Sequence, residues 1–200
     1  MLELVVPDSG PLIGLALIDR LDLLEKFSCA ILVTDMVRYE VERGGSEAPD
    51  RPVLERWFAR QSNQVQVVET TYGLMYRALP TELQAQIRLK KNARENSIRE
   101  FADHIRESLG PDDQILVLFE DQAVQKMNFG RHVHRLHPYG FFVTLENLGV
   151  IPSALSLVDE LKEKRRLLAR DLFERQSSHA DGEAADWTEA VEGNSDPGTR

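Results

Sequence analysis

Acidic residues directly follow two of the apolar runs in this 200-residue sequence, a placement that suits metal chemistry. Asp8 follows the run LELVVP, and Asp121 follows the run ILVLF and one further acid. Continuous apolar runs of this length are typical of strands buried on both faces, as in a parallel sheet covered by helices. In open α/β sheets, ligands bind at the carboxyl ends of the strands. We therefore expect Asp8 and Asp121 to lie at one edge of a sheet.

Two further acids are predicted on the inner faces of helices. Glu40 shares a helical stripe with apolar residues and is placed on the buried side, whereas Glu42 faces solvent beside Arg38. Glu95 begins the apolar stripe of an amphipathic helix predicted over residues 92–109. Because an unpaired Glu is rarely buried, Glu40 in particular indicates a functional role.

Carboxylates gathered at one place need a cation. Without one they repel each other, and one of them takes up a proton. Mg²⁺ prefers oxygen ligands, keeps several of its waters and is commonly held directly by only one or two carboxylates. Such an ion can activate a water and stabilise charge on the leaving oxygen of a phosphodiester. The four acids therefore indicate a candidate site for such an ion.

Each acid also has a structural interpretation. Asp8 could cap the helix that begins at the Ser-Gly-Pro after it. Glu95 could form a capping box with Asn92, in an N-x-x-E pattern. Glu120 and Asp121 could be ordinary turn acids. The joint placement of the four acids, more than any one of them, is what indicates a site.

Composition and charge limit the class of protein. The chain is 42% hydrophobic and 28% charged, which is ordinary for a globular protein of one domain. Its net charge of −9 argues against a generic nucleic-acid coat protein. Much of that charge lies in residues 171–200, which carry 8 acids against 2 Arg. We expect residues 176–200 to form a disordered acidic tail.

The sequence shows no signal for export or for a membrane. No apolar run approaches the roughly 18 residues of a membrane span, and the N-terminus lacks a basic region followed by a long apolar core. The single cysteine, Cys29, cannot form an internal disulfide and is predicted to be buried and unreactive. We therefore expect a protein of the reducing cytoplasm with no membrane partner.

Strand-like and helix-like segments alternate along the chain. Strands are predicted at residues 2–6, 30–33, 65–68, 115–119 and 133–136. Helical patterns lie between them, and Ser153 can cap a last helix that runs to about Arg175. This alternation predicts an α/β fold, a three-layer α/β/α sandwich with a central, mostly parallel sheet.

The segments that carry the acids resemble the PIN-domain nucleases, a family that includes the VapC-like toxins of toxin–antitoxin pairs. VVPDSGPLIGLALIDRLDLL is similar to the first strand and helix of the family, and ILVTDMVRYEV to its second strand and the helix with its Glu. NARENSIREF is similar to the "GE…I.EF" segment, VLFEDQAV to the strand before the last acid, and ENLGVIPSAL to the closing segment. The resemblance covers about residues 2–165, within a predicted PIN-like domain of residues 1–170.

This resemblance implies a metal-dependent endoribonuclease. It places a Mg²⁺ or Mn²⁺ ion on four acids: Asp8, Glu40, Glu95 and Asp121. It also implies frequent homodimerisation and, often, a cognate antitoxin as partner. Arg94 stands where the family usually has Gly and is a candidate RNA contact, and Asp103 and Glu120 are reserve ligands.

Two alternative functions remain open from the sequence. Arg94 in place of Gly motivates a PIN-like domain without catalysis, which would bind nucleic acid or another protein. A receiver-like phosphoacceptor domain would also gather acids at strand ends. Such a domain normally pairs two acids just after its first strand, whereas this chain has Asp8 alone there, so the receiver-like alternative is disfavoured.

Three other features admit functional and structural interpretations. His132, His134 and His137 could form a transition-metal site, but only the first two share a face of a strand and no Cys lies nearby, so surface histidines are favoured. The segment Lys162–Arg166 is interpreted as a solvated helix face. Ser9 could donate a hydrogen bond to a carboxylate or to a metal-bound water, or it could simply belong to a turn.

Overall fold

The computed structural model describes residues 2–43, 48–60, 64–86, 89–106, 112–121 and 132–168, with the single positions 110, 124, 128 and 129. Its strands are β1 Leu2–Pro7, β2 Ala30–Thr34, β3 Val65–Val68, β4 Gln114–Leu118 and β5 Val133–Leu136. Its helices are α1 Ser9–Leu17, α2 Asp35–Arg43, α3 Arg51–Ala59, α4 Thr71–Ala78, α5 Thr81–Gln86, α6 Leu89–Arg106, α7 Pro138–Asn147 and α8 Ala154–Glu163. A 3₁₀ helix, Leu21–Lys26, follows α1.

The five strands form one parallel sheet in the order β3-β2-β1-β4-β5. Val5 of the central strand β1 pairs with Ile31 of β2 on one side and with Leu116 of β4 on the other. All residues from Ile115 to Leu118 are 0% exposed. Because successive side chains of a strand point to opposite faces, both faces of the sheet are covered. The predicted α/β/α sandwich is confirmed, and the described strands are all parallel.

The strand order reverses beside β1. β2 and β3 lie on one side of it, and β4 and β5 lie on the other. A crevice therefore opens between the carboxyl ends of β1 and β4, at the topological switch point where open α/β sheets bind ligands. The same order contradicts the receiver-like alternative, because flavodoxin-like domains of that type have the order 2-1-3-4-5.

Helix α1 lies next to this crevice because of the residues that begin it. Asp8 is its N-cap, and Pro11 occupies its first turn, where the missing N–H costs nothing. Leu12 and Leu15 are buried in the core. Helix α1 packs against α2, and α2 packs against α6, so the helices predicted to carry site acids are neighbours.

The last helix differs from the sequence prediction at its C-terminal end. Helix α8 begins after the predicted cap, Ser153, but it ends at Glu163 and not near Arg175. The prediction was wrong because Arg165 has a φ of 60°, outside the helical range.

The predicted acidic tail of residues 176–200 lies outside the described residues. None of the helices within the described ranges is long and apolar enough to cross a membrane.

Candidate metal centre

A cleft of about 380 Å³ opens at the carboxyl ends of β1 and β4. Its position is the switch point of the sheet order. The residues that line it include four acids and one arginine: Asp8, Ser9, Gly10, Ile13, Glu40, Glu120, Asp121 and Arg166. The cleft therefore brings together three of the four predicted ligands, together with one reserve ligand and the predicted supporting Ser9.

Asp8 is held by the sheet and by the helix that follows it. Its backbone N–H donates to the carbonyl of Leu118 at 2.8 Å, which extends the pairing of β1 with β4 by one residue. Its carboxylate accepts a hydrogen bond from the Ser9 N–H at 2.7 Å and caps α1. Asp8 is only 1% exposed and still lines the cleft. The capping and functional interpretations of Asp8 are thus compatible.

The two acids after β4 have different surroundings. The Glu120 side chain is 22% exposed, and its carboxylate receives a hydrogen bond from Arg166 at 2.6 Å. Asp121 is exposed at the same cleft. The sequence could not separate these neighbours, because the arginine that distinguishes them is 46 residues away along the chain.

Glu40 lines the cleft but is exposed, so its predicted burial was wrong. Met36 and Val37, one turn earlier on α2, are buried as the helical pattern predicted. One turn later the inner face of α2 is no longer covered by the core, because the cleft opens there. Glu40 therefore lies at the rim of the cleft. Glu42 pairs with Arg38 at 2.7 Å on the exposed side, as predicted.

Helix α6 is anchored close to the cleft by a buried polar contact. The hydroxyls of Thr34, at the end of β2, and Ser97 are 2.8 Å apart, and both residues are 0% exposed. Glu95 and Arg94 belong to α6, just before Ser97. Their side chains lie outside the described part of the structure, so the ligand role of Glu95 and the RNA contact of Arg94 stay predictions.

The remaining sequence candidates are engaged away from the cleft. Asp103, a reserve ligand, forms an ion pair at 3.7 Å with the arginine four residues earlier on the exposed side of α6. His132 lies 3.1 Å from the backbone oxygen of Asp113, and His134 lies 2.8 Å from the side-chain oxygen of Gln114. These contacts tie β5 to β4 and give the two histidines a structural role. The prediction of surface histidines was wrong for His137, which is 0% exposed.

The donor chemistry of the cleft fits a hydrated hard cation. Its ionisable lining consists of carboxylates and one guanidinium, with no thiol or imidazole, and carboxylate oxygens are what Mg²⁺ and Mn²⁺ favour. Among the described residues, no three His, Cys, Asp or Glu side chains are arranged to hold one ion. Mg²⁺ needs only one or two direct carboxylates. The cleft therefore fits an ion that keeps most of its waters, and it does not fit a closed cage.

Asp35 is a buried acid that the sequence analysis missed. It follows β2 as Asp8 follows β1, and it is 4% exposed. Its carboxylate accepts a hydrogen bond from the Thr70 hydroxyl at 2.8 Å and pairs with Arg77 at 2.9 Å. The apolar run that ends at Thr34 could have revealed it. Its partners on α4 and at the start of that helix give Asp35 a structural role.

Arg166 is the second residue that the sequence analysis misjudged. The solvated interpretation holds for Lys162, which is exposed and pairs with Asp159 at 2.7 Å. It is wrong for Arg166, whose side chain is 23% exposed and lines the cleft. No local pattern could have indicated this, because the contacts of Arg166 are with Glu120 and with Gly10, 156 residues away.

The thiol of Cys29 has a raised pKa. Burial, and secondarily the negative charge of Glu3, raise its pKa to about 11. The thiolate is the reactive form of cysteine, so Cys29 is unreactive at neutral pH, although it is only half-buried.

His137, at the carboxyl end of β5, is a buried neutral histidine. It is 0% exposed, and its Nδ1 accepts the Tyr139 N–H at 3.3 Å as the cap of α7. The proton of the neutral ring is therefore on Nε2, which is buried without a hydrogen-bond partner among the described residues. Burial lowers the pKa of His137 to about 4.

We expect the stability of the protein to fall on mild acidification because of His137. The unfolded chain takes up a proton below about pH 6.5 and the folded chain only below about pH 4. The contribution of the neutral His137 to the free energy of unfolding is therefore complete above pH 6.5 and is lost as the pH falls towards 4. Between pH 7 and pH 5 the free energy of unfolding should fall by about 2 kcal/mol. Urea unfolding at the two pH values measures it. His137→Asn, which keeps a capping oxygen, should flatten this dependence, and an equal dependence in both proteins would contradict the assignment.

Part of the chain is similar to a known protein family. Residues 4–86 match the sequence model of the DUF3368 family, which is described as a PIN domain. The matched residues run from β1 to the end of α5 and include Asp8 and Glu40. No curated protein matches the chain significantly.

PIN domains are in general nucleases that bind nucleic acid and typically use divalent metal ions. The all-parallel sheet and its helices are consistent with the PIN-like fold. The resemblance predicted from the sequence is therefore confirmed over residues 4–86, which match a PIN domain.

Proposed function

We propose that this protein is a metal-dependent endoribonuclease that hydrolyses RNA phosphodiester bonds. The observation that carries the proposal is the convergence of Asp8, Glu40 and Asp121 on one cleft at the switch point of a parallel sheet. These three acids, with Glu95 of α6, would hold Mg²⁺ or Mn²⁺. The bound cation would supply activation of a water and stabilisation of charge on the leaving oxygen.

The charge of the cleft supports a cation-dependent reaction. Its lining carries four carboxylates and one guanidinium, which gives a formal charge of −3. A phosphodiester is itself anionic, so the bare cleft repels it. A divalent ion held by these carboxylates would offset most of this charge. The buried Asp8 is fixed by its hydrogen bonds before any ligand arrives, which is the preorganisation that efficient catalysis needs.

Finer features of the proposal rest on the sequence alone. A role as the toxin of a toxin–antitoxin pair and a homodimeric state follow from the family resemblance, as does a PIN-like domain within residues 1–170. A cytoplasmic location follows from the single cysteine and the absence of an export signal, and a separate acidic tail of residues 176–200 follows from composition. None of them is needed for the chemistry of the cleft.

A PIN domain without catalysis is the second candidate. One observation favours it: among the described residues, no three potential ligands are arranged to hold one ion. Such a domain would bind RNA or a protein without cutting it. The experiment that follows separates the two candidates.

Glu40→Gln should abolish metal-dependent RNA cleavage, and Glu42→Gln should leave it unchanged. Both substitutions remove one charge from an exposed face of α2, but only Glu40 lines the cleft, whereas Glu42 pairs with Arg38. Cleavage of a structured and an unstructured RNA is followed with Mg²⁺, with Mn²⁺ and with EDTA. The metal-induced rise in melting temperature is measured on the same samples.

We expect cleavage only with a divalent ion and a melting temperature that rises with Mn²⁺ in the unaltered protein and in Glu42→Gln. Absence of cleavage of either RNA, together with no thermal shift, would overturn the nuclease proposal. RNA binding without cleavage would favour the module without catalysis.

A further inference from the structure

Arg166 and Glu120 form an ion pair inside the cleft. One guanidinium nitrogen, Nη2, lies 2.6 Å from Glu120 Oε2 and 2.9 Å from the carbonyl oxygen of Gly10. Both side chains are about one-fifth exposed, at 23% and 22%. A partly desolvated, charge-assisted pair of this kind is stronger than a pair on an open surface. It joins the turn after α8 to α1 and to the segment after β4.

A sharp turn directs Arg166 into the cleft. The backbone N–H of Arg166 donates to the carbonyl of Leu161 at 2.9 Å, and the backbone N–H of Arg165 donates to the carbonyl of Lys162 at 2.8 Å. With the φ of 60° at Arg165, this is a Schellman motif that ends α8. A residue other than Gly is disfavoured at that φ. The turn is thus formed at a cost, and it brings Arg166 back towards α1.

Helix α1 leaves room for the pair. A Cβ at Gly10 would lie 2.9 Å from Glu120 Oε2, and a Cβ at Gly14 would lie 3.4 Å from Arg166 Nε. Each glycine inside a helix costs up to about 1 kcal/mol relative to Ala. The absence of a side chain at Gly10 therefore forms a slot that admits the Glu120 carboxylate, whereas Gly14 is in ordinary contact with the Arg166 guanidinium.

We propose that Arg166 is a positioning residue of the metal centre: it holds Glu120 as its counter-ion and so leaves Asp8 and Asp121, and not Glu120, to bind the cation. This proposal rests on the proposed function. It assigns different roles to two consecutive acids that line the same cleft. Glu120 is confined by the slot and by its bond to Arg166, whereas Asp121 is exposed.

Binding of Mn²⁺, measured by isothermal titration calorimetry on the full chain, tests the division of roles. Asp121→Asn should lower the affinity for Mn²⁺ at least about tenfold, and Glu120→Gln should change that affinity by no more than about threefold. Arg166→Gln should strengthen Mn²⁺ binding about fivefold, because it removes a positive charge and releases a carboxylate into the cleft.

Three further variants complete the experiment. The double variant Glu120→Gln with Arg166→Gln should return to the affinity of the unaltered protein, because the pair is removed as a neutral unit. Arg166→Lys keeps the charge and should stay close to the unaltered protein. Arg165→Gln removes the same charge one residue earlier, at an exposed position, and should leave Mn²⁺ affinity unchanged.

The outcomes separate this proposal from the proposed function. If the unaltered protein binds Mn²⁺ and Glu120→Gln weakens it as much as Asp121→Asn does, Glu120 is a ligand and the positioning role is overturned. If Arg166→Gln lowers the affinity for Mn²⁺ while the melting temperature of the variant equals that of the unaltered protein, the proposal also fails. If Arg166→Gln does not fold, Glu120→Gln and Arg166→Lys still decide between the two roles. If the unaltered protein binds no Mn²⁺ at all, the metal-dependent function fails, and this role fails with it.

Discussion

Replacing Asp8 with Asn is expected to reduce RNA cleavage at least about a hundredfold, since even changes outside the direct ligands of a metal cost about 10- to 100-fold. The fold should survive. The Asn side chain keeps the oxygen that accepts the Ser9 N–H at 2.7 Å, so the cap of α1 is retained. The substitution removes the buried charge that would face the cation. Cleavage rates and urea unfolding, measured on the same preparation, record the two effects separately.

Asp19→Asn is the matched control for this prediction. Asp19 lies just beyond the other end of α1, and its side chain is 79% exposed. Its φ of 52° is one that Asn tolerates well, so both stability and cleavage should be unchanged. Full activity in Asp8→Asn would contradict the ligand role of Asp8. An equal loss in both variants would point to a general effect of charge.

Replacing Gly73 with Ala is expected to lower the free energy of unfolding by about 3 kcal/mol or more, although Ala is the better helix former by about 1 kcal/mol. A Cβ at Gly73 would overlap the buried carboxylate of Asp35. That carboxylate cannot move aside freely, because it accepts a hydrogen bond from the Thr70 hydroxyl at 2.8 Å and forms an ion pair with Arg77 at 2.9 Å. Relief of the overlap must therefore break a buried pair or shift α4. Urea unfolding measures the change.

Gly14→Ala is the matched control, since it makes the same substitution inside a buried helix. The nearest atom to its new Cβ would be Arg166 Nε at 3.4 Å, an ordinary contact with a flexible side chain. The helix propensity of Ala should then prevail, and stability should rise by up to about 1 kcal/mol. If Gly73→Ala and Gly14→Ala have equal effects, the close approach of α4 to Asp35 does not limit stability.

The sequence was sufficient to predict the sheet and two of its acids because these features are local. A continuous apolar run followed by an acid identifies a buried strand and its carboxyl end without knowledge of the rest of the chain. This reasoning placed Asp8 and Asp121 at one edge, and the structure brings both to the same cleft. The strand order itself, which creates the cleft between β1 and β4, is not a local property.

Features that depend on distant partners could not be predicted in the same way. Asp35 follows β2 with the same local pattern as Asp8, and only Thr70 and Arg77 make it a structural acid. Arg166 lies in a basic stretch that reads as solvated, and its role depends on two residues far away in the chain. The periodicity of a helix likewise identifies its inner face, but it does not show where neighbouring helices end and that face meets solvent.

The pairing of β1 with β4 has a consequence for how the protein folds. The paired residues Leu2 and Gln114 are more than a hundred positions apart in the chain, so their contact requires a long loop to close, and such contacts form slowly. A chain in which only β1, β2 and β3 have assembled holds Asp8 and Glu40 but has no cleft, because the other wall is missing. The proposed nuclease site should therefore form in a late step of folding, when β4 pairs with β1.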